Sequence, residues 1–316
     1  MSPTTPSRRR GAVPLVALLL AIGLLSIAVA AAAAEHGKAN DARERILTSE
    51  AGEHAAKLEH YFSRARSLTL VTSRNPSFRE FYEAPGKRRT KVASGGREVT
   101  ESNRALSYLQ ELFRGSIGEA CFIDRSGSEN ARAVRGKIAR LEDLSDAEGS
   151  QPFFKPGFAV RSGEVYQAPP YLSPDTNEWV VANVTPITMS NGTKPAIVHF
   201  EISLESFRNE AADSNGDYDI SIIEAKTGKV IVDSRFRQPS GTKSRLGPPR
   251  DRRFARIAST AGKAFGDTTM DIDGRQSALR HIEKIPNNAN DWIVVASAPP
   301  RRSSRASPAG WPKPSL

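Results

Sequence analysis

Between Gly118 and Ile187 short apolar runs alternate with turn residues, the pattern of an antiparallel sheet carrying a loop-rich flap. Residues 119–124 (EACFID) alternate apolar and polar positions and stop at Asp124-Arg125-Ser126-Gly127, residue types that reverse a strand into its neighbour. Further strands are predicted over Asn130–Val134, near Val165–Gln167 and over Glu178–Ile187. In the last of these, Trp179, Val181, Asn183 and Thr185 share one face, and Val180, Ala182 and Val184 the other. Asn191-Gly192 predicts a type I′ hairpin, whose two central residues need positive φ, and the sheet continues through Pro195–Leu204.

Upstream the period changes. Leu47, Ala51, His54, Leu58, Tyr61, Ala65 and Leu68 recur at spacings of four and three, which predicts a helix from about Asp41 to Ser73 ended by Asn75-Pro76. That stripe either packs on the chain's own sheets or also pairs with the same helix of a second subunit, giving a homodimer. Its Ala and His content favours the first reading. A short helix over Ser77–Tyr82, a polar loop over Ala84–Gly96 and a helix over Ser102–Phe113 lead into the sheet.

A second module starts near Asp217. DYDISIIEAKTGKVIVDS reads as a hairpin centred on Thr227-Gly228, followed by a helix over about Asp251–Ala261, two strands around Asp273-Gly274 and a closing strand over Trp292–Ala298. The tail 299–316, rich in Pro, Ser and Arg, is predicted to stay disordered because it has little apolar surface to bury.

Residues 12–34 carry no charge and follow Arg8-Arg9-Arg10. At about 1.5 Å per residue they cross the ~30 Å hydrocarbon core, and the arginines would hold residues 1–11 in the cytoplasm. The competing reading is a cleaved signal peptide, since AVAAAAAE offers small residues at a cleavage site. Length favours the anchor. The net charge of +10 is scattered in short runs without interleaved aromatics, which argues against nucleic acid as a partner. The single cysteine, Cys121, excludes an intrachain disulfide and reads as a small buried residue.

No catalytic constellation stands out: G-x-S-x-G, a P-loop, G-x-G-x-x-G after a strand and H-E-x-x-H are absent, and the five histidines are dispersed. The expectation is no enzyme, no cofactor and no metal. Asp213, Asn215, Asp217, Asp219, Ser221 and Glu224 have the spacing of a calcium loop, but Tyr218 stands where the sharp turn demands Gly and a strand pattern follows. An inter-domain turn is the better account.

In order and wording, GEACFIDRSGSENAR, PFFKPGF, VYQAPPYLSPDTNEW and VHFEISLESF resemble the extracytoplasmic double Cache sensor domains of bacterial receptors, members of the wider PAS-like group. The resemblance spans about Arg43 to Pro299. It implies an α+β fold: a long N-terminal helix packed along two PAS-like antiparallel sheets and preceded by one transmembrane helix. The expected division is an anchor at 12–34, helix and helical cover at 41–113, a membrane-distal module at 114–205 and a membrane-proximal one at 206–298. In such receptors a second membrane helix and a cytoplasmic transmitter follow; no apolar run of ~20 residues follows Pro300, so the expectation is a sensor without its own transmitter, either a stand-alone sensory subunit served by a separate transmitter protein or a shortened receptor copy.

The resemblance further implies a small ligand in the distal module. Amino-acid-binding members carry Arg-x-Trp-Tyr and then Pro-Tyr-x-Asp, whereas this chain has Gln151-Pro152-Phe153-Phe154 and Pro170-Tyr171-Leu172-Ser173, which puts a generic α-amino acid in doubt. Asp175 offers a substitute for the missing Asp. The expected pocket has walls of Phe153, Phe154, Tyr166 and Tyr171, with Arg132, Asn183 and Thr185 as polar orienters. Arg132 could instead pair with Glu129 or Glu201, and Glu201 is expected to hydrogen-bond structurally. The functional expectation is small-molecule sensing outside the cytoplasmic membrane; the alternative is a secreted solute-binding or scaffolding protein released by signal peptidase.

Overall fold

The computed structural model describes residues 12–212, 218–238 and 268–299, with 240, 241, 246, 254 and 257 between them. Residues 1–11, the predicted helix over Asp251–Ala261 apart from Phe254 and Ile257, the first half of the calcium-like segment and the tail from 300 lie outside the described residues. The chain divides into two compact units, 1–46 and 47–316.

Helix α1 runs from Ala12 to Ser73. In the first unit the apolar side chains of Leu18, Leu20, Ile22, Leu24, Leu25, Ile27 and Val29 are exposed, and from Leu20 onward the helix is long and apolar enough to cross a membrane. In the second unit the predicted stripe is the buried face: Leu47, Ala51, His54, Leu58 and Ala65 are buried, joined by Ala55, Phe62 and Thr69, with Tyr61 and Leu68 at its margin. Asn75 ends this helix and caps the next, its Oδ1 accepting the Ser77 N–H at 3.0 Å, with Pro76 at the first position of α2 (Pro76–Glu83).

Helices α3 (Arg88–Ser94) and α4 (Arg97–Leu112) follow. The segment read as a polar loop therefore contains a helix, and α4 starts five residues earlier than its apolar pattern indicates. Neither was visible because their exposed turns are built from Arg, Lys, Glu and Thr without a continuous apolar stripe. Buried Gln110 fixes α4 to the sheet, donating to Ala133 O (2.9 Å) and Gly118 O (3.1 Å) and accepting from Gly136 N (2.6 Å).

The first sheet contains β1 (Ile117–Asp124), β2 (Glu129–Val134), β3 (Lys137–Ile138), β4 (Tyr166–Gln167), β5 (Tyr171–Leu172), β6 (Trp179–Ile187) and β7 (Ala196–Ser203). Its order is β3-β2-β1-β7-β6-β4, with β5 also on β6. Helices α1, α2 and α4 supply the core on one face; the flap 139–178, with α5 (Phe154–Ala159), covers the other. Hence β1 and β7 are buried on both faces, and the alternation read in EACFID is not an inside/outside pattern.

After α6 (Leu204–Ala212) comes the second sheet, order β10-β11-β12-β8-β9: β8 (Asp219–Glu224), β9 (Val230–Asp233), β10 (Thr268–Ile272), β11 (Arg275–His281) and β12 (Trp292–Ser297). As read, Asp219–Glu224 is a strand and not the helix a calcium loop would need. The type I′ signature belongs elsewhere than expected. Asp273 and Gly274 both have positive φ (53° and 73°), whereas at Asn191-Gly192 only Gly192 does (80°) and Asn191 Oδ1 instead accepts the Thr193 N–H at 3.0 Å.

α1 touches both sheets: the Phe62 carbonyl accepts from Gln167 Nε2 (3.2 Å), and the Phe62 ring lies 5.4 Å from Trp292. Gln167 also joins the sheets through its backbone, bonding Asn287 O and Ala289 N at 2.9 Å each.

Gly157 lets α5 lie on the first sheet, because a Cβ there would sit 2.7 Å from Val184 Cγ2 and 2.9 Å from Cγ1. Gly157→Ala gains up to about 1 kcal/mol of helix propensity, but overpacking costs typically 1–3 kcal/mol, so the variant should be less stable in denaturant melts. The loss should shrink when Val184→Ala is added; an equal loss in both backgrounds would refute the contact.

Candidate functional site

The face of the first sheet under the flap is set by strand register. β1 and β7 place Glu119 opposite Glu201 and Cys121 opposite His199, while β2 places Arg132 opposite Cys121. Since side chains alternate, these five share the face on which β6 contributes Val180, Ala182 and Val184. The flap closes it with Phe153, stacked on His199 at 4.1 Å, and with Tyr171, whose ring lies 5.9 Å from Phe153.

Of the residues named from sequence, Phe153, Phe154, Tyr166 and Tyr171 fall together in one apolar cluster on this face. Arg132 borders it; its Nη1 bonds Asp175 Oδ1 at 2.7 Å and lies 3.3 Å from Glu129 Oε2, and its Nη2 donates to Asp143 O. Asn183 and Thr185 lie on the opposite, α1-facing side of β6: Asn183 Oδ1 accepts from Gln167 Nε2 (2.7 Å), and Thr185 Oγ1 donates to Glu164 O (2.7 Å). Glu201 accepts a hydrogen bond from the Tyr171 hydroxyl.

Sequence reasoning passed over Glu119, Glu148 and His199, all buried, whereas Glu129 was named as an alternative partner of Arg132 and does pair with it at 3.3 Å. It also took Cys121 as apolar in surroundings, yet its Sγ donates to Glu119 Oε1 (2.8 Å) and lies 3.3 Å from Glu129 Oε1. The usable signal was the pair of i, i+2 motifs, Glu119-x-Cys121 and His199-x-Glu201, which become one cluster only once β1 and β7 are known to be neighbours.

Several atoms here have no hydrogen-bond partner among the described residues: Glu119 Oε2, Glu201 Oε2, Arg132 Nε and both nitrogens of His199. Burial dominates the electrostatics. It raises Glu129 and Glu201 to about 7, the Ser145 N–H and Arg132 limiting the rise at Glu129 and the Tyr171 and Ser173 hydroxyls limiting it at Glu201. Burial, then the neighbouring Glu201, pushes Glu119 well above the carboxylate range, and burial also raises Glu148. His199 is driven down to about 3 by burial.

The linkage sign follows. Carboxyls raised from 4.5 to about 7 stabilise the fold fully below pH 4.5 and lose that contribution as pH rises through about 7. His199, lowered from 6.5, opposes them only below about pH 6.5. The melting temperature should therefore rise as pH falls from about 8 to about 6.5, and Glu201→Gln should flatten that slope. A flat profile in the wild type would contradict the burial of these acids.

A crevice of about 530 Å³ lies elsewhere, at the β1 end of α4 beside Gln110, Arg114, Arg135 and Glu178. It contains none of the residues predicted for the site, and Arg135 and Glu178 already pair there at 2.8 Å.

No protein-family model matches the chain, and no curated protein does. Solved structures do. The isoleucine-bound sensory domain of the Campylobacter jejuni chemoreceptor Tlp3 is 12% identical, with a TM-score of 0.57 over 82% of this chain and 94% of that one. The extracellular domain of the histidine kinase vpHK1S-Z8 gives 12%, 0.61, 82% and 91%, and a sensory box/GGDEF protein domain from Vibrio parahaemolyticus 13%, 0.57, 82% and 95%. The α1 helix and two antiparallel sheets of this chain are thus the fold of the Cache-like sensory domains of chemoreceptors, histidine kinases and GGDEF proteins.

Proposed function

We propose that this chain senses a small ligand outside the cytoplasmic membrane, binding it between the first sheet and the flap 139–178, with residues 12–34 as a single-pass anchor. The observation that carries the reading is the buried polar face beneath the flap, where Glu119, Arg132, His199 and Glu201 keep atoms without partners. A structural core rarely leaves such groups unpaired, because each costs about 1–3 kcal/mol. The sensory fold agrees with it, and the neighbour Tlp3 is described with isoleucine bound. Sensing accounts for the site better than catalysis does. The module carrying this face, residues 114–205, is taken as the membrane-distal one and residues 206–298 as the proximal one.

Transmission would run through Gln167, whose strand belongs to the flap and which bonds α1, β6 and the loop before β12. A ligand that moves this strand biases how both sheets hold α1. Shifting such an equilibrium from 1:99 to 99:1 requires ~5.5 kcal/mol of differential binding.

A thermal-shift screen of the full chain in detergent against small metabolites tests the site. A binder at 100 Kd adds about 2.7 kcal/mol. Tyr171→Phe and Arg132→Ala should remove that shift, while Asn183→Ala, on the other face, should lower the melting temperature and keep it. Shifts retained in both Tyr171→Phe and Arg132→Ala would overturn the pocket.

The anchor is tested separately. Intact-mass analysis of membrane-fraction protein should find residues 12–34 present; a mature chain starting near Glu35 in the soluble fraction favours the secreted alternative instead.

A further inference from the structure

The same face holds a donor set that an organic ligand does not explain. Glu119, Cys121 and His199 each offer a ligand atom, and these atoms all lie within 4.8 Å of one another. All three side chains are at most 1% exposed. They come from adjacent strands in fixed register, so the backbone of two central strands positions them. His199 has no partner on either nitrogen and Glu119 none on Oε2, among the described residues. We propose that this face binds a divalent metal ion of the zinc class through Glu119, Cys121 and His199.

The donor chemistry decides between cations. An ammonium group would be served by carboxylates and aromatic walls, but would leave an imidazole with two free nitrogens and a thiol unused. Sulfur, nitrogen and carboxylate oxygen together suit a borderline ion such as zinc. At bond lengths of about 2.0–2.3 Å a tetrahedral site needs ligand atoms roughly 3.3–3.8 Å apart, which side-chain rotation of about an ångström supplies. The ion is held by the Cys121 thiolate and the Glu119 carboxylate, so binding releases to solvent the thiol proton and any proton that Glu119 holds in the metal-free protein. A second acidic group, Glu119, Glu129 and Asp175, is also compact, but two of its members already hold Arg132. That pairing screens the guanidinium from the proposed ion.

The proposal names the ligand class of the sensing face and rests on that reading. It is tested on the full-length, untagged protein in detergent, stripped with a chelator and then exchanged out of it. Zinc chloride alone, titrated against a chromophoric competitor, should bind at one ion per chain. Cys121→Ser and His199→Gln should each weaken binding more than about 10-fold, while Asn183→Ala leaves it unchanged. Cobalt(II) in the wild type should give a thiolate-to-cobalt charge-transfer band, a readout that needs no variant to fold. Absence of that band, or zinc affinity unaffected by both ligand substitutions, overturns the proposal. Stabilisation of metal-free protein by a metabolite, dependent on Tyr171 and Arg132 and without zinc binding, overturns the metal but keeps the sensing face. Failure of both screens removes both.

Discussion

Burial of the first sheet on both faces is the constraint from which the rest follows. With α1, α2 and α4 on one side and the flap on the other, β1 and β7 have no solvent face for polar side chains. Yet Glu119 and Glu201 stand directly opposite each other, where like charges on neighbouring strands destabilise the pair. A buried ion without compensation costs several kcal/mol, so burial raises both carboxyls, Glu201 to about 7 and Glu119 well above the usual carboxylate range. The closed flap and the charge state beneath it are therefore linked.

That linkage gives the fold a route outward. The flap is tied to the body through Gln167, whose side chain joins β6 to the α1 backbone and whose main chain joins the loop before β12. A rearrangement under the flap must stretch or keep these bonds, and the two made by the Gln167 side chain are buried where a lost partner is not replaced by water. Coupling through one residue that contacts three elements needs no long chain of side chains.

Much of the fold was legible because its signals are local. The Leu47-to-Leu68 stripe, the Asn75-Pro76 stop, the Asp273-Gly274 turn and the face split of Trp179–Ile187 each depend on a few adjacent residues. The site was legible only in part. Phe153, Phe154, Tyr166 and Tyr171 stand out as aromatic residues in a Pro-punctuated flap, and they do cluster. Asn183 and Thr185 were grouped with them on polarity alone, although the alternation already recognised in β6 separates them from Val184. His199 and Glu201 could not be joined to Glu119 and Cys121 because that contact depends on pairing between strands far apart in sequence. The helix α3 was missed for another reason: its exposed surface gives no period.

The second sheet provides an internal comparison for what the first one is doing. It too is buried on both faces, and its central strands place Ile220, Ile222, Val294 and Ala296 on one side and Ile223, Ile293 and Val295 on the other. Its buried polar exceptions on the central strands are Ser221 and Ser297, the latter 2.9 Å from Ser277. A doubly covered sheet in this chain is thus well served by apolar residues. Replacing buried ionic groups by apolar residues of similar volume is commonly neutral or stabilising, so stability does not account for two glutamates, a cysteine and a histidine on the central strands β1 and β7. What distinguishes the two sheets is the set of buried ionisable groups in the first, several of them with atoms that have no partner among the described residues, and the proposed ligand site is built on that difference.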